Sequence, residues 1–224
     1  RIDGRSQVFP KHRQRRLLYN DDSDQQYAGS AKSYGYEIDD DKSFLEARTT
    51  PTFDTHVDTY VWCLGNGADP PWGGRTELFP CLPSNEYATD LIVGACHDHG
   101  VEVWGSLRMN DLHDATRAAN LDETSDPMKA RHPEWMIEPQ ELRPEESGPY
   151  GALADGLSEH YLWSAFNFEL PAVRDYRLAN IEKTARAHDF DGYELDFTRF
   201  TWYFPLGRER SLAHLMTNLV RRVR

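Results

Sequence analysis

The segment Asp191-Gly192-Tyr193-Glu194-Leu195-Asp196-Phe197-Thr198-Arg199-Phe200 sets two carboxylates two residues apart within an apolar, aromatic-rich run. In a strand, alternate side chains share a face. Glu194 and Asp196 then share one face, and Tyr193, Leu195 and Phe197 share the other. The apolar set suits packing against helices, which directs the carboxylates into the interior of a barrel. Burying two like charges side by side is costly. It makes sense where the site binds a cation, protonates one acid, or develops positive charge during a reaction. Sugar transfer meets the last condition, because its transition state resembles an oxocarbenium ion that a carboxylate stabilises. Asp196 is therefore expected as nucleophile or charge stabiliser, and Glu194 as the neighbour that tunes its proton affinity. Arg199 can pair with Asp196 and keep it ionised. A structural ion pair at a strand end is the plain alternative.

A second group follows Val101–Leu107. Arg108 and Asn110 would share the face of Trp104 and Ser106, and Asp111 comes next. Long polar groups on a buried strand suit hydrogen bonds to a ligand, although Asn110-Asp111 also suits a turn. Asn20, Asp21 and Asp22 can bind sugar hydroxyls or a cation, or cap a turn or helix. Glu194, Asp196 and His113 are the set a metal-dependent lyase or isomerase would use, but they form no tight cluster in sequence. His97-Asp98-His99 precedes a strand, which assigns it to the far end of a barrel from the chemistry. No nucleophile elbow, phosphate loop, dinucleotide fingerprint or HExxH motif is present. No cofactor and no metal site are expected.

The elements that must position these residues are legible as an alternation. Strands are predicted at 16–19, 57–64, 101–108 and 192–197, each ending in polar or glycine residues. Helices are predicted at 87–99, before Gly100 as a C′ glycine, and at 171–188, with Pro171 in the first turn. A third spans 206–224, with Leu212, Leu215, Met216, Leu219 and Val220 at helical spacing. Strand, helix, strand implies parallel strands with right-handed crossovers. The expected fold is α/β, the N-terminal half of a (β/α)8 TIM barrel, with residues 1–224 as one incomplete domain. A full barrel takes about 250 residues, so the natural protein is expected to continue. A four-strand open sheet is the alternative. The Pro-rich stretch at about 122–158 shows no obvious element and reads as a loop insertion over the C-terminal face.

Composition narrows the partners. The chain has 224 residues and a formal net charge of −12, which disfavours nucleic acid and anionic membranes. The one basic run, Lys11 to Arg16, reads as solvated charge. No apolar stretch approaches the ~20 residues of a membrane span. Six Trp and 11 Tyr pack cores, and they also stack on sugar faces. Cys63, Cys81 and Cys96 are odd in number and lack metal-ligand spacing. An oligo- or polysaccharide is the expected partner, and oligomeric state stays open. Compartment is open too: the chain begins at Arg1, and a removed signal peptide would favour secretion or the periplasm.

Three pieces resemble, in order, the glycosyl hydrolase-like family 10 proteins, a group of (β/α)8-barrel glycosidases. Gly100-Val101-Glu102-Val103-Trp104 and His132-Pro133-Glu134-Trp135-Met136 are similar to that family's strand and its HPEW segment. Pro171-Ala172-Val173-Arg174-Asp175-Tyr176 looks like its helix start. Asp191 to Phe200 is similar to its fourth strand. The resemblance covers roughly residues 90 to 205. It implies that Asp196 matches the family's strand-four Asp and Arg199 its accompanying Arg. In related sugar-processing barrels the strand-four carboxylate is commonly a nucleophile. Its acid partner sits on a later strand, which would lie beyond Arg224. Glu194 stands where the family is often less acidic, and the first 80 residues match weakly.

Overall fold

A computed structural model describes residues 17–22, 37–65, 82–112, 126–137 and 164–224. The Lys11–Arg16 run, Cys81 and His113 lie outside the described residues, as does most of the 122–158 stretch. Four strands, β1 (Leu17–Asp21), β2 (Val57–Cys63), β3 (Glu102–Arg108) and β4 (Gly192–Asp196), form one parallel sheet in the order β1-β2-β3-β4. A doubly wound sheet reverses its strand order at a switch point, whereas a barrel adds each strand beside the last. The unreversed order is the barrel type of winding, so the expected α/β class is observed.

Register fixes which side chains share a face. Tyr60 pairs with Val103 and Val61 with Trp104. Trp62, on the face of Tyr60, donates from Nε1 to Thr89 Oγ1 of α2 (Asn85–Asp98) at 3.1 Å. That face is therefore the helix side. Thr59, Val61 and Cys63 share the opposite face with Glu102, Trp104 and Ser106, and Thr59 donates to Glu102 across it.

The helices begin and end where local chemistry dictates. The α2 helix is capped by Ser84 and stops at Gly100, whose φ of 73° suits glycine. There the Gly100 amide donates to His97 O and the Val101 amide to Cys96 O, closing a Schellman motif. Ahead of it stands α1 (Asp41–Arg48), which the hydrophobic pattern did not announce. Asp40 and Ser43 form a capping box at its start. A short helix, α3 (Pro127–Arg131), and a 3-10 turn at Pro133–Trp135 lie within the predicted insertion. Asp126 caps α3 through the Met128 amide, with Pro127 at its first position. Next come α4 (Pro171–Ala187), opened by Pro171 as expected, and α5 (Glu209–Val223). Among the described residues no helix is long and apolar enough to cross a membrane.

The chain forms two compact units. Residues 1–63, 76–106 and 185–194 make the first, and residues 64–75, 107–184 and 195–224 the second. Phe44, Tyr60, Trp62, Ile92, Cys96 and Val103 are buried in the first. In the second, Leu112, Met136 and Ala165 form a core against which Ile137, Phe200 and Trp202 pack. The His97-Asp98-His99 cluster has structural duties in the first unit. His97 Nε2 lies 2.8 Å from Asp191 Oδ2, which also accepts the Val103 amide, and His99 stacks on Phe53.

Candidate functional site

The second unit holds Asp196 at the C-terminal end of β4. Its backbone carbonyl accepts the Met109 amide at 2.9 Å, which fixes the strand end beside the end of β3. Its side-chain Oδ1 accepts three donors from the following turn: the Thr198 amide at 2.7 Å, the Thr198 hydroxyl at 2.8 Å and the Arg199 amide at 3.2 Å. This turn locks the carboxylate and commits one oxygen. Oδ2 has no hydrogen bond from a described residue. The Arg199 guanidinium lies over the Phe200 ring, 5.9 Å from its centroid. Arg199 thus meets Asp196 through its backbone amide.

Tyr203 belongs beside Asp196, and the sequence reading passed over it. Its ring is gripped edge-on by Phe168 at 5.3 Å and Phe197 at 5.5 Å. Its hydroxyl is buried with no hydrogen-bond partner among the described residues. Burial first, and then the Asp196 charge, push the phenol well above its ordinary range, while Arg177 opposes them. The phenol therefore keeps its proton at neutral pH and remains a donor.

The last residue of β3 and those after it turn inward. Arg108 is fully buried, with Nη1 3.3 Å from Asp111 Oδ2. Asn110 is fully buried too. Its Nδ2 donates to the carbonyls of Phe166 and Trp202, and its Oδ1 accepts the Phe166 amide. The amide is thus spent on bracing two backbone segments. Lys129 donates to the Asp111 carbonyl at 2.7 Å, and its ammonium lies 5.3 Å from the Phe166 centroid. Arg177 covers the same ring at 5.1 Å and lies 3.8 Å from Asp126 Oδ2. Asp126 also accepts the Tyr176 hydroxyl. Sequence periodicity gave no sign of this buried charge set, because its members come from three separated segments.

The first unit holds the other expected residues. Glu194 lies on β4, and its Oε2 is buried with no hydrogen-bond partner among the described residues. Trp104 is half-buried on β3. Asn20 is exposed near the end of β1, and Asp21 is buried. Asp21 pairs in register with Trp62, so it points to the helix side of the sheet. There it accepts hydrogen bonds from Arg48 of α1 and from the Tyr60 hydroxyl. Burial and the Asp21 charge push the Tyr60 phenol far upward. Among the described residues, no three His, Cys, Asp or Glu side chains converge as a metal site.

Fold and site together define an α/β protein with a locked carboxylate at the end of a parallel strand. No family model matches the chain, and no curated protein matches it. Among solved structures it is similar to alpha-L-fucosidase isoenzyme 2 from Paenibacillus thiaminolyticus, at 14% identity and a TM-score of 0.45. The match covers 93% of this chain and 29% of that chain. The chain thus spans less than a third of the fucosidase, and a likeness of this size carries no argument about function.

Proposed function

We propose that the chain belongs to a glycoside hydrolase acting on O-glycosidic bonds, with Asp196 as the carboxylate that meets the anomeric carbon. One observation carries this reading: the carboxylate stands at a strand's C-terminal end, held by three donors on Oδ1, with no donor to Oδ2 among the described residues. A rigid carboxylate with one uncommitted oxygen suits attack or charge stabilisation, because it needs no reorganisation as positive charge develops. As nucleophile, Oδ2 bonds to the anomeric carbon while the bond to the leaving oxygen breaks. That oxygen takes a proton from an acid, and water then hydrolyses the glycosyl ester. Glu194 lies two residues back on the same face and adds negative potential. Arg108 ends β3, and Asp111 and Asn110 shape the loop after it.

The test is Asp196→Asn in the full chain, against a panel of aryl glycosides and oligosaccharides. Turnover is expected to fall about a thousand-fold or more. Unchanged turnover removes Asp196 from the reaction. Glycan binding with no product released from the unsubstituted chain would replace this reading with a carbohydrate-binding barrel.

A further inference from the structure

Gly192 and Trp104 meet in the first unit across β3 and β4. A Cβ placed on Gly192 would lie 2.5 Å from Trp104 Nε1, 2.6 Å from Cε2 and 2.8 Å from Cδ1. No side chain fits in that space while the indole occupies it. Glycine within a strand weakens it unless something must approach the backbone closely. Here the approaching group is the face of the Trp104 indole, over its pyrrole ring. Alternation puts Glu194 on the same face as Gly192, one step further along the strand. Its Oε2 is buried and lacks a hydrogen-bond partner among the described residues, a costly state for a carboxylate. Trp104 is itself only half-buried, although its β3 neighbours Val103, Gly105 and Ser106 are buried. The sheet thus presents a large aromatic surface and, beside it, a carboxylate oxygen in need of a donor.

We infer that Gly192 is a positioning residue, which lets the Trp104 indole lie across β4 as a stacking platform for the C–H face of a pyranose ring, with Glu194 accepting a hydroxyl of that sugar. This rests on the carbohydrate reading above and narrows its substrate class. An indole presents a flat, electron-rich surface that suits a sugar face of axial C–H groups. A carboxylate beside it rewards a ligand that carries hydroxyl donors, which a purely apolar ligand lacks.

The test measures binding of gluco-, xylo-, manno- and galacto-configured oligosaccharides to the full chain by calorimetry. It compares the unsubstituted chain with Trp104→Ala, Trp104→Phe and Gly192→Ala, and measures turnover of Asp196→Asn alongside. Trp104→Ala is expected to weaken the best ligand about 10- to 30-fold and Trp104→Phe about 3-fold. Gly192→Ala displaces the indole and should approach the alanine variant. If Gly192→Ala folds poorly, adding Trp104→Leu should restore its thermal midpoint without restoring binding, because the clash is with the indole. Undiminished binding in Trp104→Ala, or in folded Gly192→Ala, overturns the platform and leaves the role of Asp196 to its own turnover result. Normal turnover in Asp196→Asn beside lost binding in Trp104→Ala overturns the hydrolase reading and keeps the platform. Absence of any oligosaccharide binding overturns both.

Discussion

Thr198 donates to one oxygen of Asp196 twice, from its backbone amide at 2.7 Å and from its hydroxyl at 2.8 Å. The candidate carboxylate is thereby held by the chain that immediately follows it. Replacing Thr198 with Val keeps the amide and removes the hydroxyl at nearly constant shape. If Asp196 does the chemistry, kcat/KM should fall about 5- to 30-fold with little change in thermal midpoint. An unchanged kcat/KM on a glycoside that the unsubstituted chain cleaves would show that the hydroxyl only shapes the turn.

Asn110 is expected to act on stability. Asn110→Ala leaves two carbonyls and one amide buried without their present partner. The cost should be on the order of 3 kcal/mol, read as a lower urea midpoint. A variant of full stability that had lost only ligand binding would show that the amide serves the ligand.

Arg48 and Asp21 are both almost fully buried. Arg48→Met removes the guanidinium and should cost about 3–5 kcal/mol, the range for breaking a buried pair. Arg48→Met combined with Asp21→Leu should recover much of that loss, since neither charge then remains. Equal loss in the single and double variants would contradict the pairing.

Asp40 sets the acid response of α1. Hydrogen bonds from Ser43, chiefly from its amide, hold the Asp40 carboxyl below its ordinary 3.8. A depressed folded-state value means that its support of the helix start is complete above 3.8. The support is lost as pH falls through the lowered value. Protection of the Ser43 amide against exchange, relative to its intrinsic rate at each pH, should therefore fall in that acid window, and Asp40→Ala should already show low protection above it. Equal exchange rates in the two proteins at neutral pH would contradict the cap.

The sequence made the strands and the long helices legible because their periodicity is local. The four predicted strands match β1 to β4 within one or two residues at each end. Gly100 and Pro171 punctuate α2 and α4 as expected. Two helices escaped because their signal is chemical rather than periodic. Asp40 with Ser43 caps α1, and Asp126 with Pro127 opens α3. At the site, the pattern of β4 sufficed to put Asp196 at the strand's C-terminal end. Alternation could not reveal that Asp21 faces the helices, because that depends on the β1–β2 register, which shifts between Leu17 and Leu18. Nor could it show Asn110 spent on Phe166 and Trp202, 56 and 92 residues further along. Tyr203 lies in the loop after β4, where packing rather than pattern brings its ring against Phe197. Gly192 did carry a readable signal, a glycine inside a strand, whose meaning needed its neighbour Trp104.

The central claim is that the Asp196 carboxylate acts at an anomeric carbon. Its most direct test is turnover of an activated aryl glycoside by Asp196→Ala in the full chain, with and without added azide. A carboxylate nucleophile predicts near-complete loss of hydrolysis, with azide restoring leaving-group release and giving a glycosyl azide of inverted anomeric configuration. Turnover of Asp196→Ala at the unsubstituted rate, unaffected by azide, would contradict it.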